Sequence, residues 1–143
     1  MRIHKKEGAA RDASAIQTQL ESLRPALDID GDGWLDVAVL RVGPDLLLRG
    51  GPDCAFSDAT EDWGLALRDG WTTAFTATWE AGRDRPTLVF GHYVDRADPD
   101  GPFEACDSHD IYRPNGPGYG AAEVIEPGYC ALSMLISDWR RQG

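Results

Sequence analysis

At 143 residues the chain has the length of one ordinary domain, and with 42% hydrophobic residues and five tryptophans it can bury a core. A net charge of −10 argues against a nucleic-acid partner, whose phosphates call for clustered Lys and Arg, and it suits cation binding. No stretch approaches the roughly 20 apolar residues of a membrane-spanning helix, and the opening MRIHKKEGAARDASA lacks the apolar centre of a secretory signal.

Arg2, Lys5, Lys6 and Arg11 read as a solvated tail. Ser14 to Leu23 then reads as a short helix. Ser14 and Gln17 form a capping box, Ile16, Leu20 and Leu23 share one face, and Pro25 stops the helix. Residues 1–25 are therefore set apart, as tail and helix, from residues 26–143.

The next stretch, ALDIDGDGWLDVAVL, crowds Asp28, Asp30, Asp32 and Asp36 together. Carboxylates so close repel one another unless a cation sits among them. Calcium takes six to eight oxygens, and a calcium loop supplies them from positions 1, 3, 5, 7 (through a backbone carbonyl) and 9. Those positions fall on Asp28, Asp30, Asp32, Trp34 and Asp36, while Gly33 stands at position 6, where the sharp turn needs a flexible residue. An EF-hand would add a bidentate Glu at position 12, but Val39 is there, and the following VAVLRV favours a strand over a helix. The loop thus has EF-hand ligand spacing without the EF-hand frame. The competing reading is an acidic surface turn that binds nothing.

Everything after the loop reads as strands and turns. LDVAVLRV leads through GPD into LLL, and GGPD leads into AFSDAT. GWTTAFTATW alternates, with Trp71, Thr73, Phe75, Ala77 and Trp79 expected on one face. TLVFGHYV is a further strand, and CALSMLISDW a last one, with helix as the alternative over its middle. Short strands at regular spacing, punctuated by Gly and Pro, predict an all-β sandwich, barrel or propeller. TTAFTATWEAG and ALSMLISDWRRQ match at an offset of about 60 residues, and DLLLRGGPD and DIYRPNGPG at about 65. Position 1 of the Asp loop would then recur at Thr78 and Asp138. The second copy keeps only Glu80 and Asp84 as carboxylates, and the third has Arg140 and Gln142 where carboxylates would be. A repeat of roughly 50 to 60 residues with about four strands is the size of a propeller blade, so the chain holds two to three.

Cys54, Cys106 and Cys130 show no metal-binding spacing, and their odd number leaves one thiol free or paired between chains. Cys106 and Cys130 are the candidates for a bridge, with reduced, buried cysteines as the alternative. Features that suggest catalysis have plainer readings. DSHD at Asp107 to Asp110 reads as a polar turn, because adjacent residues cannot form a triad. His92 reads as a half-buried strand histidine without a partner, and GPDLLLRGGPD and NGPGYG as hairpin turns. The Trp71, Phe75 and Trp79 stripe reads as core.

DIDGDGWLDVAVL, LLLRGGPDCAFSDATEDWGL, GWTTAFTATW and LVFGHYVD together resemble the FG-GAP/VCBS-type repeats of calcium-binding β-propellers, in particular the cartilage acidic protein-like and ASPIC/UnbV-type group. The family's D-x-D-G-D-G-x-x-D-L loop is matched at Asp28 to Val37, its F-x-D-V-T-x-x-A-G-L segment at Phe56 to Leu65, and its GW-x-T strand at Gly70 to Thr73. DIYRPNGPGYG is a weaker copy of its hairpin. The resemblance implies a mainly β propeller fold, and the chain's length makes it an incomplete propeller of two to three four-stranded blades over 26–143, behind the short N-terminal helix. It also implies one Ca2+ site formed by Asp28, Asp30, Asp32, the Trp34 carbonyl and Asp36. A non-enzymatic adhesion or recognition role outside the cell or at its surface follows from it too, with a protein or glycan partner. Two to three blades cannot close a ring, so self-association of open blades is expected. The alternatives are a propeller domain of an enzyme, a lyase or hydrolase, and a dockerin-like docking module, which would place a helix after the loop.

Overall fold

The computed structural model describes residues 27–99, 105–126 and 129–136. The expected helix at Ser14 to Leu23 and the third loop copy at Asp138 lie outside the described residues. The strands run in chain order as β1 (Val37–Val39), β2 (Val42–Pro44), β3 (Leu46–Gly50), β4 (Phe56–Asp58), β5 (Asp69–Thr78), β6 (Thr87–His92), β7 (His109–Tyr112), β8 (Pro114–Asn115), β9 (Gly118–Tyr119) and β10 (Glu123–Ile125), with a short 3-10 turn at Pro52–Cys54. The fold is mainly β, as expected. Among the described residues all strand pairings are antiparallel, in a three-stranded sheet of order β1-β3-β4, a five-stranded sheet of order β10-β7-β6-β5-β2, and the β8-β9 hairpin.

The core forms where the inner faces of the two larger sheets meet. Ile29, Leu47, Ala59, Trp63, Leu65, Leu88, Phe90, Tyr112 and Tyr119 make one buried cluster. Phe90 is its hub within the five-stranded sheet, with ring centroids 5.0 Å from Phe75 and 5.8 Å from Tyr112, both edge-on. β6 is buried along its whole length, with Leu88 and Phe90 facing the core and Val89 and Gly91 facing the opposite side.

Two sequence expectations are corrected here. Trp71, Thr73, Phe75 and Ala77 do not share a face, because the β5–β6 register shifts between Thr72 and Ala74. A bulge adds one residue and reverses the alternation. Thr72 therefore joins His92 on the inner side and Phe75 pairs with Phe90 on that same side, while Trp71 stays outside against Tyr93. The last expected strand, CALSMLISDW, forms no strand over its described part, Cys130 to Ile136. That segment crosses the outer face of the five-stranded sheet instead of extending it.

Candidate metal centre

The aspartate loop is built around one apolar anchor. Ile29 is fully buried in the core cluster, while its neighbours Asp28 and Asp30 are only partly exposed, the Asp30 side chain at 9%. Gly31 and Gly33 take positive φ values of 76° and 91°, which a side chain would resist. The carboxylates accept hydrogen bonds from the turn itself. Asp28 accepts from the N–H groups of Gly31 (2.9 Å) and Gly33 (3.2 Å), Asp30 from Asp32 (3.3 Å), and Asp32 from Trp34 (2.8 Å). Asx turns of this kind fold the chain back without secondary structure.

Asp36 closes the base. Its backbone N–H donates to the Leu27 carbonyl at 2.7 Å, and its carboxylate accepts from the N–H groups of Ile29 (2.6 Å) and Gly50 (2.9 Å). One side chain thereby ties the start of the loop to its end and to the last residue of β3. Burial pushes the Asp36 carboxyl above its ordinary value, against the two N–H donors, and the charges of Asp30 and Asp32 push the same way.

Asp28, Asp30 and Asp36 each offer a carboxylate oxygen, and these oxygens lie within 4.8 Å of one another. Asp32 stands outside this group. Three of the four expected aspartates are thus brought together. An all-oxygen donor set of carboxylates suits a hard cation such as calcium. One positive charge is already present: Arg49 of β3 donates from Nε to Asp30 at 2.7 Å, and its guanidinium lies 5.3 Å from the Trp63 ring centroid. Three carboxylates against one guanidinium still leave an excess of negative charge. Glu80, a candidate from the second loop copy, is engaged elsewhere, accepting from Thr87 Oγ1 (2.7 Å) and Arg113 (2.8 Å), while Asp84 is exposed.

A second polar cluster was not legible in the sequence. His92, only 2% exposed, has its Nδ1 3.0 Å from Thr72 Oγ1 and its Nε2 3.1 Å from Asp110. Thr72 donates its hydroxyl to Asp45 at 2.6 Å, and Arg68 bridges Asp110 and Asp107 at 2.8 Å each while reaching the Ser108 carbonyl. The DSHD stretch is therefore no polar turn: His109 and Asp110 belong to β7, and Asp107, His109 and Asp110 are buried. Burial raises Asp110, but His92 and Arg68 outweigh it and hold the carboxyl below its ordinary value. Hydroxyl, imidazole and carboxylate line up as in a hydrolase, yet the hydroxyl proton is directed to Asp45 and the three side chains are buried. The geometry is that of a satisfied core network joining β5, β6 and β7 to the β2–β3 corner.

No protein-family model, no curated protein and no solved structure matches this chain.

Proposed function

We propose that this chain is a non-enzymatic, calcium-binding segment of a β-propeller of the FG-GAP/VCBS type, serving protein interaction or adhesion outside the cell or at its surface. The observation that carries the reading is the convergence of Asp28, Asp30 and Asp36 within 4.8 Å, on a loop whose sequence has calcium-ligand spacing. Asp32 and the Trp34 carbonyl are the further ligands in this reading. Calcium is favoured over magnesium because a flexible carboxylate loop suits its larger, less regular shell.

Strand β1 follows the loop directly, where a dockerin-like module would carry a helix. The β5–β6–β7 meander supports a blade-like arrangement of successive antiparallel strands. A bond joins Cys106 to Cys130, with Cys54 free and exposed, and such bonds persist in oxidising compartments. The partner in this reading is a protein or glycan.

Calorimetric titration with calcium and with magnesium, on the wild type and on Asp28→Asn, tests it. The expected wild-type dissociation constant for calcium is on the order of 10⁻⁴ to 10⁻³ M, the range of extracellular modules. Magnesium should bind more weakly, and Asp28→Asn should lose the calcium heat. No heat in the wild type would reduce the loop to an acidic turn.

A further inference from the structure

Tyr129 to Ile136 has neither strand nor helix, yet it is tied to the outer face of the five-stranded sheet at several points. Cys130 is bonded to Cys106, which bridges to Val94 just beyond β6. The Ala131 N–H donates to the His92 carbonyl at 3.1 Å, Thr73 Oγ1 donates to the Ala131 carbonyl, and His109 bonds the Tyr129 backbone. Gly91 makes the close seating possible. A β-carbon there would come within 2.9 Å of Met134 Cε and 3.0 Å of Ala131 Cβ.

The far end of this segment is held differently. Met134, Leu135 and Ile136 form one wall of a groove of about 880 Å³, and Val89, Ile111 and Ile125 line it from the sheet. The polar ties gather at Tyr129–Ala131, whereas the groove wall meets the sheet through apolar side chains. Leu132 and Leu135 are 73% and 84% exposed, so little burial holds them.

We propose that Tyr129–Ile136 is a redox-gated strap: oxidised, the Cys106–Cys130 bond keeps it walling the groove, and reduction by a thiol releases it and opens the groove. In the chemical step a dithiol's thiolate attacks one sulfur of the bond, forming a mixed disulfide and expelling the other cysteine as a thiolate. The reductant's second thiol then displaces the first cysteine, so the protein gains two electrons and two protons and the dithiol becomes a cyclic disulfide. Both cysteines lie outside the named strands, and the β5–β6–β7 ladder does not depend on them. Release is therefore local, a sub-global opening of a segment with few buried side chains.

Limited chymotrypsin digestion of the full chain, with and without a dithiol, tests this by mass mapping alongside far-ultraviolet circular dichroism. Reduction should speed cleavage after Leu132 and Leu135 by about tenfold or more and leave the sheet signal and cleavage within 69–125 unchanged. The Cys106→Ser/Cys130→Ser variant should match the reduced protein without reductant. Gly91→Ala crowds Met134 and Ala131 with the bond intact, and Ala74 of β5 too, so it should speed the same cleavages in the oxidised state while the sheet signal stays that of wild type. Equal cleavage at Leu132 and Leu135 in both redox states overturns the proposal. So does a loss of sheet signal on reducing the folded wild type, since the bond would then hold the whole domain.

Discussion

A methyl group on the α-carbon of Gly50 would lie 2.0 Å from the Leu35 carbonyl oxygen. That contact seats the exit of the aspartate loop on the end of β3, where Gly50 also donates its N–H to Asp36. Backbone meets backbone there, so no side chain can swing away to make room. Gly50→Ala should destabilise the protein by about 3 kcal/mol, at the upper end of overpacking costs, and lower its melting temperature by roughly 10 °C. It should also weaken calcium binding, because Asp36 loses its seat. A melting temperature within a degree of wild type would show that the loop does not rest on β3 as described.

Arg49 and a divalent cation bound in the loop would compete for Asp30. The guanidinium is partly exposed, at 38% of its side chain, so the ion pair contributes only about 0.5–1 kcal/mol. Arg49→Gln removes the competitor and makes the loop more negative, and calcium affinity should rise roughly two- to fivefold. Arg49→Lys keeps the charge and should stay near wild type. A loss of affinity in Arg49→Gln would mean that Arg49 braces the loop through Trp63 more than it opposes the ion.

The aspartate loop was legible in the sequence because its information is local: ligand spacing, two glycines and a β-branched run lie within a dozen residues. The mainly β class was legible for the same reason, from short alternating runs punctuated by Gly and Pro. The sequence also nominated Cys106 with Cys130, without choosing between bridged and reduced forms. What it hid depends on distant partners. The bulge at Thr73 is invisible in a perfect alternation, since it arises from pairing with β6 and the Thr73 contact with Ala131. His92 looked partnerless because Thr72 and Asp110 lie about 20 residues away on either side, brought together only by sheet register. The segment after Cys130 is apolar enough to read as a strand, but the disulfide and Gly91 hold it across the sheet.

Acid should weaken the fold through His109. Burial holds its imidazole below the ordinary value, and His92 opposes its charge further. Its Nδ1 accepts the His92 N–H at 3.2 Å, a role that the protonated ring cannot keep. The unfolded chain takes up the proton first as pH falls. Stability from neutral His109 is therefore complete above about pH 6.5 and is lost as pH drops through the lowered folded value. Asp45 acts with the opposite sign, since burial raises its carboxyl and acid relieves it. Comparison with His109→Asn, which keeps an acceptor and does not titrate, isolates the histidine. Melting temperature should fall with acid more steeply in wild type than in the variant between pH 6.5 and 5. Parallel curves would remove His109 from the account.

The edge of the five-stranded sheet bears on assembly. Among the described residues β10 is the outermost strand on one side and pairs only with β7, and Glu123, Val124 and Ile125 are all exposed. Val124 and Ile125 are 59% and 42% exposed beside the groove that Leu135 also lines. An edge strand with two β-branched apolar side chains is a template for another strand, and β10 carries neither Lys nor Pro to discourage pairing, only the charge of Glu123. The isolated chain should therefore self-associate as concentration rises, by strand addition at β10. Sedimentation velocity over a hundredfold concentration range should show monomer passing to dimer in wild type. Val124→Lys places a charge on the edge without entering the core and should hold the protein monomeric, with its melting temperature little changed. A wild type that stays monomeric throughout would count against an open blade edge, and a Val124→Lys protein that still dimerises would move the contact away from β10.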